Sequence, residues 1–395
     1  MKYRYLLPLL CCSLVFAIPP ARAADAFPLV DGDRVVLVGS TLIEREQRYG
    51  YWETALTRRY PDKSITFRNL GWSGDTVFGD ARAGFGSTAD GFRQLKEHVL
   101  ALKPTVLIIG YGTNESFAGP KGLPHFVKGL ETLLDTFAPT KARIILLSPL
   151  KQENLGQPLP DPKEQNENLR LYADAIRDTA KKRDHLFVDL YDQLGKEKKH
   201  LTDNGIHLTP WGYWRSAPVL EDGLGLPTVA DIKINPPPLT NDGNTITAHR
   251  SRVTAPMLPL PPQPSDSVPS PLAAAGFVVR VKGLSAEEYI LNIDGKPVAQ
   301  APAKDWAKGV AISKGPDFER AERLRQTIIA KNRLYFYRWR PENVTYLFGF
   351  RKHEQGQNAR EIPQFDPLIA EKEKEIAKLR VPVGHTYELK ATKKK

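Results

Sequence analysis

The sequence predicts an α/β fold built on a doubly wound parallel sheet. Short apolar runs of strand length alternate with longer segments of helical spacing through the first half of the chain. Strands separated by helices favour a parallel sheet, because each parallel crossover needs a connection of about helix length. Glycines and polar residues follow the predicted strands, as they do at the ligand-binding edge of such a sheet.

The first α/β unit begins with a predicted strand at Asp33–Gly39. This run of β-branched and apolar residues ends at glycine, which is typical of a buried parallel strand. Ser40 and Thr41 follow directly and therefore lie at the carboxyl end of the strand. Glu46–Tyr60 has helical apolar spacing and precedes Pro61, so we expect a helix that ends there.

The same alternation continues to about residue 190. Further strands are predicted at Ser64–Leu70, Thr105–Tyr111, Ala142–Leu147 and His185–Leu190. The helices between them are predicted at Gly91–Leu102, Pro124–Phe137 and Lys163–Arg183. This succession assigns residues 24–226 to one α/β domain.

The composition changes after Leu226. Two proline-rich stretches, Pro236–Pro238 and Pro256–Pro271, are expected to be extended connectors. A small antiparallel β module is predicted from three short strands, Ala275–Val281, Tyr289–Ile293 and Lys296–Ala299. Residues 227–315 are thus expected to hold linkers and a small inserted or appended β module.

The last part of the chain, residues 316–395, is predicted to be a helical tail with a basic end at Lys393–Lys395. Asp317–Trp339 has helical spacing, and we expect this helix to pack back on the main sheet. Pro367–Arg380 is a charged helix. Arg338–Gly356 is dense in aromatic and arginine residues, which suits either a lid or sugar-binding wall or simple packing against the sheet.

Residues 1–23 have the pattern of a secretory signal peptide. Lys2 and Arg4 form a charged start, an apolar run follows, and Ala21–Ala23 has the small-x-small cleavage pattern. The apolar run is short and is interrupted by Pro8, so it is poorly suited to spanning a bilayer. We therefore expect cleavage and export, to the periplasm or the exterior, with no stable membrane span afterwards.

The composition argues against several classes of function. Both cysteines, Cys11 and Cys12, lie in the expected signal peptide, so stability of the mature protein must come from burial. The formal net charge is +11, which suits a solvated basic surface or attraction to acidic polysaccharide. We find no nucleic-acid-binding motif and no histidine and carboxylate cluster with metal-ligand spacing, so no nucleic-acid partner, metal or cofactor is expected.

The most informative polar loop is Leu201–Tyr213. It places His207 four residues after Asp203 and three residues after Asn204, in a short segment between glycines. A histidine in such a loop can be oriented by its neighbours and still face a cleft, and a carboxylate behind the imidazole fixes its tautomer. Asp203 and Asn204 are both candidates for the orienting residue, with Asp203 preferred because it is charged.

Three other polar loops follow predicted strands, at Ser40-Thr41, Gly71–Thr76 and Gly112–Glu115. Because the carboxyl ends of parallel strands meet at one edge of a sheet, these loops and His207 are expected to share a cleft. A hydroxyl, glycine amides, an asparagine and a histidine are the components of an acyl-transfer site.

Each of these residue types has a role in acyl transfer. His207 is the candidate base that accepts the proton of a nucleophilic hydroxyl, from either Ser40 or Thr41. The oxyanion formed during attack needs donors, which the backbone N–H of Gly71 and the side chain of Asn114 can supply.

Together the four blocks resemble the SGNH (GDSL-like) hydrolase family, over about residues 33–220. The matching blocks are Gly39-Ser40-Thr41, Asn69–Asp75, Gly112–Glu115 and Asn204–His207. In the family these are a Gly-Asp-Ser block, a glycine block, a Gly-x-Asn-Asp block and an Asp-x-x-His block. The resemblance implies a flavodoxin-like sheet and esterase or lipase activity.

The sequence departs from the family pattern at two important positions. Thr41 stands where the family has its nucleophilic serine, and Ser40 stands at the preceding aspartate. A threonine hydroxyl can attack, but its methyl group restricts χ1 and crowds the approach. Asn204 stands at the position of the family's acid, with Asp203 one residue earlier; an amide there can leave the imidazole in the wrong tautomer.

Two functions follow from these observations. The first is an exported ester hydrolase that acts on a small acyl ester, such as an O-acetyl group on carbohydrate, by a Ser/Thr-His mechanism. The second is a non-catalytic carbohydrate- or envelope-binding protein that retains the SGNH fold.

Overall fold

A computed structural model describes residues 26–226, 230–234, 248–264, 277–284, 286–354 and 356–392. The expected signal peptide, the first proline-rich stretch, the end of the second and the final lysines lie outside the described residues. Of the helices in the part of the chain that the structure describes, none is long and apolar enough to cross a membrane.

The main sheet has five parallel strands in the order β2-β1-β3-β4-β5. The strands are β1 Arg34–Gly39, β2 Thr66–Asn69, β3 Val106–Gly110, β4 Arg143–Leu147 and β5 Leu186–Val188. Valine, isoleucine and leucine on β1, β3 and β4 are buried on both faces of the sheet. This order is that of a flavodoxin-like doubly wound sheet, which confirms the fold class predicted from the sequence.

Helices cover both faces of the sheet and bury two separate apolar clusters. They are α1 Thr41–Tyr49, α2 Tyr51–Thr57, α3 Thr88–Ala101, α4 Gly119–Phe137, α5 Lys163–Lys182, α6 Leu190–Leu194 and α7 Pro210–Gly223. The prediction of one helix at Glu46–Tyr60 was wrong. Helix α1 starts directly after β1, and the chain breaks at Gly50, where a left-handed φ of 64° ends α1 and starts α2.

The second part of the chain forms a β module of two small sheets around its own apolar core. Its strands are β6 Ala230–Ile234, β7 Ala248–Val253, β8 Phe277–Val281, β9 Glu288–Ile293, β10 Lys296–Pro302, β11 Val310–Ile312 and β12 His385–Ala391, with helix α8 at Ala303–Lys308. The sheet orders are β10-β9-β12-β7 and β11-β8-β6.

The module differs from the antiparallel unit expected at residues 227–315. Strand β6 pairs with β8 in parallel, and β12, which comes from the tail, lies between β9 and β7. The alternate burial along β12 shows why it belongs there, since each second side chain enters the core of the module.

Three helices complete the fold: α9 Pro316–Trp339, α10 Val344–Leu347 and α11 Phe365–Leu379. Helix α9 packs on α1, α2 and β2. Lys331 is buried in this contact, where its Nζ donates to Glu53 Oε1 at 2.7 Å and to the carbonyl of Phe67 at 3.1 Å. The tail is therefore attached to the α/β domain by a paired, buried charge.

Candidate active site

A cavity of about 150 Å³ lies at the carboxyl edge of the sheet, beside β1 and β3. Four residues singled out in the sequence line it together: Ser40, Thr41, Asn114 and His207. The loops that carry them converge because the strand order reverses between β1 and β3, which opens a crevice at this point.

The two candidate nucleophiles differ in their surroundings. Ser40 is the N-cap of α1; only 3% of it is exposed, and its N–H donates to the carbonyl of Gly110 at 3.2 Å. Thr41, the first residue of the helix, is partly exposed, and its Oγ1 accepts the backbone N–H of Gly74 at 3.3 Å. Of the two hydroxyls, that of Thr41 therefore has an oxyanion-type donor beside it.

Gly74 was not identified from the sequence. It adopts φ 79° in an exposed turn, and a Cβ built on it meets no atom within 4 Å. The glycine is thus required by backbone conformation, which turns its N–H towards Thr41. The Ser-Gly-Asp sequence in the glycine block was the available signal, but the spacing did not reveal which glycine N–H faces the cleft.

Gly71, the expected oxyanion donor, has a different role. Its N–H donates to the side chain of Asn69 at 2.8 Å and is therefore not free for an oxyanion. A Cβ at this position would lie 2.2 Å from the backbone nitrogen of Glu44. Gly71 therefore allows the loop to pack against α1, and Gly74 replaces it as the candidate donor.

The side chain of Asn114 both braces the loop and faces the cavity. Its Nδ2 donates to the carbonyl of Asp75 at 2.7 Å. Because a primary amide carries two N–H groups, a second donor of Asn114 is available to an oxyanion. Next to it, Glu115 accepts the N–H groups of Val77 and Gly112, both at 2.9 Å, and so ties the two oxyanion loops together.

Burial changes the protonation of this connecting carboxyl. It raises the pKa of Glu115 to about 7, with a smaller contribution from the negative charge of Asp75. Asp75 itself is fully buried, and its carboxylate accepts from Arg82 at 2.7 Å and from the hydroxyl of Tyr111 at 2.9 Å. The loop with Gly74 is therefore supported by buried hydrogen bonds between Asp75, Arg82 and Tyr111.

His207 is oriented by Asn204. The Oδ1 atom of Asn204 accepts the N–H groups of Ile206 at 3.2 Å and of His207 at 2.9 Å. Two donors fix the orientation of the amide, and its Nδ2 then lies 3.0 Å from His207 Nδ1. Since Nδ2 can only donate, the neutral imidazole accepts at Nδ1 and carries its proton on Nε2.

This geometry corrects the prediction that Asp203 is the preferred residue to orient the ring of His207. The carboxylate of Asp203 is half-exposed and pairs with Arg45 at 3.0 Å, while Asn204 makes the hydrogen bond to the ring. Partial burial lowers the pKa of His207, and the charge of Arg45 lowers it further, against the opposing effect of Asp203. The neutral imidazole is thus favoured at pH 7.

Glu153, which the sequence did not single out, holds the histidine loop. Its carboxylate accepts the backbone N–H groups of Leu201 and Thr202, both at 2.8 Å, and the hydroxyl of Thr202. Its own N–H donates to the carbonyl of Gly205 at 2.9 Å. One side chain and its backbone therefore fix the loop that ends at His207.

The start of the aromatic and arginine segment packs behind the glycine loop. The guanidinium of Arg340 lies 3.6 Å from the ring centre of Trp72 and pairs with Glu44 at 2.8 Å. The same carboxylate oxygen of Glu44 accepts the N–H of Ser73 at 2.7 Å. This end of Arg338–Gly356 therefore supports the loop next to Gly74, whereas Phe350, further along, is 74% exposed.

Within the described residues, no group of three or more histidine, cysteine, aspartate or glutamate side chains could hold a metal ion. The cavity is lined by the hydroxyl of Thr41, the amide of Asn114 and the imidazole of His207, and the N–H of Gly74 lies next to that hydroxyl. Chemically, this arrangement is suited to attack on a carbonyl carbon and to stabilisation of the resulting oxyanion.

Comparisons with known proteins show what the chain is similar to. Residues 33–215 match the model of the GDSL-like Lipase/Acylhydrolase family. A search of curated proteins finds no match. Among solved structures, a gut microbial diltiazem-metabolizing enzyme is similar to 94% of this chain and 100% of its own, with 17% identity and a TM-score of 0.71.

Other solved structures are similar to half of this chain. An acetylxylan esterase from Geobacillus stearothermophilus covers 50% of this chain and 96% of its own, with 20% identity and a TM-score of 0.41. An α/β hydrolase enzyme from the metagenome of Lake Arreo, Spain, covers 50% and 97%, with 21% identity and a TM-score of 0.40. The diltiazem-metabolizing enzyme, in contrast, has a fold that extends over the β module and the tail helices as well.

Proposed function

Because residues 33–215 belong to the GDSL-like lipase/acylhydrolase family, we propose that this protein hydrolyses esters of small acyl groups, such as O-acetyl groups on carbohydrate. The observation that carries the proposal is the 3.3 Å contact between Thr41 Oγ1 and the N–H of Gly74, beside a cavity that Thr41 lines together with His207 and Asn114.

In the proposed mechanism Thr41 Oγ1 attacks the ester carbonyl. His207 takes the hydroxyl proton at Nε2 and returns it to the leaving alcohol, and water then releases the acyl group from Thr41 by the same steps. The N–H of Gly74 and the free N–H of the Asn114 side chain stabilise the oxyanion in both steps.

The orientation of Asn204 limits the rate of this mechanism. Nε2 can accept a proton only in the tautomer that carries hydrogen on Nδ1, and that hydrogen then faces the N–H₂ group of Asn204. These two N–H groups stop facing each other only if the Asn204 amide rotates, and that rotation breaks its hydrogen bonds to the N–H groups of Ile206 and His207. We therefore expect slow turnover at neutral pH.

The size and setting of the cavity support the substrate class. A volume of about 150 Å³ suits an acetyl group better than a long acyl chain. Phe117 lines the cavity and is 63% exposed, so its ring is accessible for stacking on a sugar. Residues 1–23 support export to the periplasm or the exterior, where polysaccharide substrates occur.

Hydrolysis of p-nitrophenyl acetate by the mature protein tests the proposal. Thr41→Ala and His207→Ala are expected to abolish the activity, whereas Ser40→Ala keeps most of it. If His207→Ala hydrolyses the ester at the rate of the unchanged protein, the mechanism is wrong. If Ser40→Ala is inactive and Thr41→Ala is active, the nucleophile is Ser40.

The second candidate is a carbohydrate- or envelope-binding protein that keeps the fold without turnover. It is favoured by the hydrogen bond from Asn204 to His207 Nδ1, which opposes the base tautomer. A fluorophosphonate probe distinguishes the two functions. The hydrolase predicts a covalently labelled peptide within residues 35–46, and the binding protein predicts no label together with measurable carbohydrate binding.

A further inference from the structure

A second, larger cavity of about 340 Å³ adjoins the candidate active site. It is within the usual size range of small-molecule sites. The two cavities share a wall made by four residues: Leu150, Lys151, Gln152 and Leu208. The second cavity therefore lies directly beside the one that holds Thr41.

The lining of the second cavity is apolar on one side. Leu194, Leu201 and Leu208 are buried there, and Pro162 is buried beside them. Such a surface suits the C–H face of a sugar ring. Gln152 adds a polar contact, because its Nε2 is buried and has no hydrogen-bond partner among the described residues. A ligand that accepts this hydrogen bond would satisfy the buried donor.

Three lysine side chains at this cavity have no ionic partner among the described residues. The ammonium groups of Lys151, Lys163 and Lys198 have no ion pair with any residue that the structure describes, and all three side chains are exposed. The stem of Lys151 lies against Gly195, since a Cβ on that glycine would be 3.2 Å from Lys151 Cδ. Its charge is therefore held near the wall that both cavities share.

The acidic residues around the same cavity are already engaged. Glu153 accepts hydrogen bonds from Leu201 and Thr202 of the histidine loop. Asp161 accepts the backbone N–H of Lys163 at 3.0 Å, and Glu197 pairs with Arg215. Glu153 and Asp161 keep their negative charges, but Glu197 is paired, so among the described residues three unpaired lysines face two unpaired carboxylates and the cavity has a net positive charge that favours a negative group.

We propose that the second cavity binds a carboxylate on the alcohol part of the ester, so that the preferred substrates are acylated acidic sugars. This inference rests on the proposed hydrolase function and specifies its substrate class. The carboxylate pairs with the free lysines, the ring lies on the leucine surface, and a hydroxyl accepts from Gln152.

The test compares acetate release from O-acetylated oligogalacturonate and from the same material with its carboxylates methyl-esterified. We expect kcat/KM to be about tenfold higher for the charged form at low salt, and the preference to shrink as ionic strength rises. The double variant Lys163→Gln, Lys198→Gln is expected to lose most of the preference. The control Lys128→Gln, on the exposed face of α4, is expected to keep it.

Calorimetry measures binding to the second cavity without requiring turnover. Thr41→Ala protein is titrated with unacetylated trigalacturonate and with neutral xylotriose. Binding of the acidic sugar alone supports the subsite even if p-nitrophenyl acetate is not hydrolysed, in which case only the proposed hydrolase is wrong. Hydrolysis of p-nitrophenyl acetate with equal rates on charged and esterified substrates, and no binding of trigalacturonate, overturns the subsite and leaves the hydrolase.

Discussion

The Nδ2 atom of Asn204 lies 3.0 Å from Nδ1 of His207, and two backbone N–H groups hold the amide in that orientation. A donor at this position stabilises the neutral imidazole that carries its proton on Nε2. In this tautomer Nε2 cannot accept the proton of a nucleophile. In the proposed mechanism, Asn204 therefore disfavours the tautomer in which His207 acts as the base.

We predict that Asn204→Asp increases esterase activity. A carboxylate can still accept the N–H groups of Ile206 and His207 with one oxygen, and its other oxygen accepts from Nδ1–H. The base tautomer becomes the stable one, and kcat/KM for p-nitrophenyl acetate should rise at least tenfold, towards the roughly 10⁴-fold effect of the reverse change in a serine protease.

The matched control for this change is Asp203→Asn. It breaks the pair with Arg45 and lowers the pKa of His207 further, but it leaves the hydrogen bond from Asn204 to the ring in place. Its effect on kcat at neutral pH, where the ring is already neutral, should therefore be small. A fall in activity for Asn204→Asp, or an equal rise for both variants, would show that the tautomer does not limit the rate.

The acid limb of the pH–rate profile should lie below the ordinary histidine pKa of about 6.5. Burial and the charge of Arg45 lower the pKa of His207, so the neutral base persists as the pH falls below that value. Arg45→Gln removes one cause, and the limb of kcat/KM should move to higher pH. Arg48→Gln, on an exposed part of the same helix, should leave it in place; a limb that moves equally in both variants argues against a specific effect of Arg45.

Arg340 is predicted to be a positioning residue for the oxyanion loop. It stacks on Trp72 and pairs with the Glu44 oxygen that accepts the N–H of Ser73. Arg340→Gln should loosen the turn that carries Gly74 and lower kcat about tenfold with little change in KM, because the donor acts mainly in the transition state.

Two further variants distinguish positioning from general stability. Arg340→Lys should recover part of kcat, since it keeps the charge near Glu44 and loses only the planar stacking. Arg338→Gln, which breaks a pair with Asp366 on the tail, should leave kcat unchanged. Equal losses of kcat in Arg338→Gln and Arg340→Gln would indicate a structural effect of the tail alone.

The sequence predicted the main sheet well, because its strands are buried on both faces and read as continuous apolar runs. It did not predict the break at Gly50, since helical periodicity continues across that residue. Nor did it predict β12, because alternation along a strand does not identify a partner about a hundred residues away.

At the site, the sequence identified the correct loops but not always the correct atoms. Gly71 and Gly74 are three residues apart, and only the backbone conformation shows that the N–H of Gly74 faces Thr41. Asp203 and Asn204 are adjacent, and the turn decides which one reaches the ring. Glu153 stabilises the histidine loop from about fifty residues away, so local patterns carried no sign of its role.

The last prediction concerns the pH dependence of stability. Burial raises the pKa of Glu115 to about 7, well above the ordinary value of about 4.3 for a glutamate. Between these values the native state binds a proton that the unfolded chain has released, so the free energy of unfolding falls as the pH rises, by at most about 1.4 kcal/mol per pH unit.

Glu115→Gln should remove this contribution of Glu115 to the pH dependence. Urea unfolding at pH 5 and pH 7.5 measures it, with Glu167→Gln, on the exposed face of α5, as control. Burial also raises the pKa of Glu46 to about 7, so part of the pH dependence should remain in Glu115→Gln. An unchanged difference between the two pH values in that variant would show that Glu115 is ionised throughout.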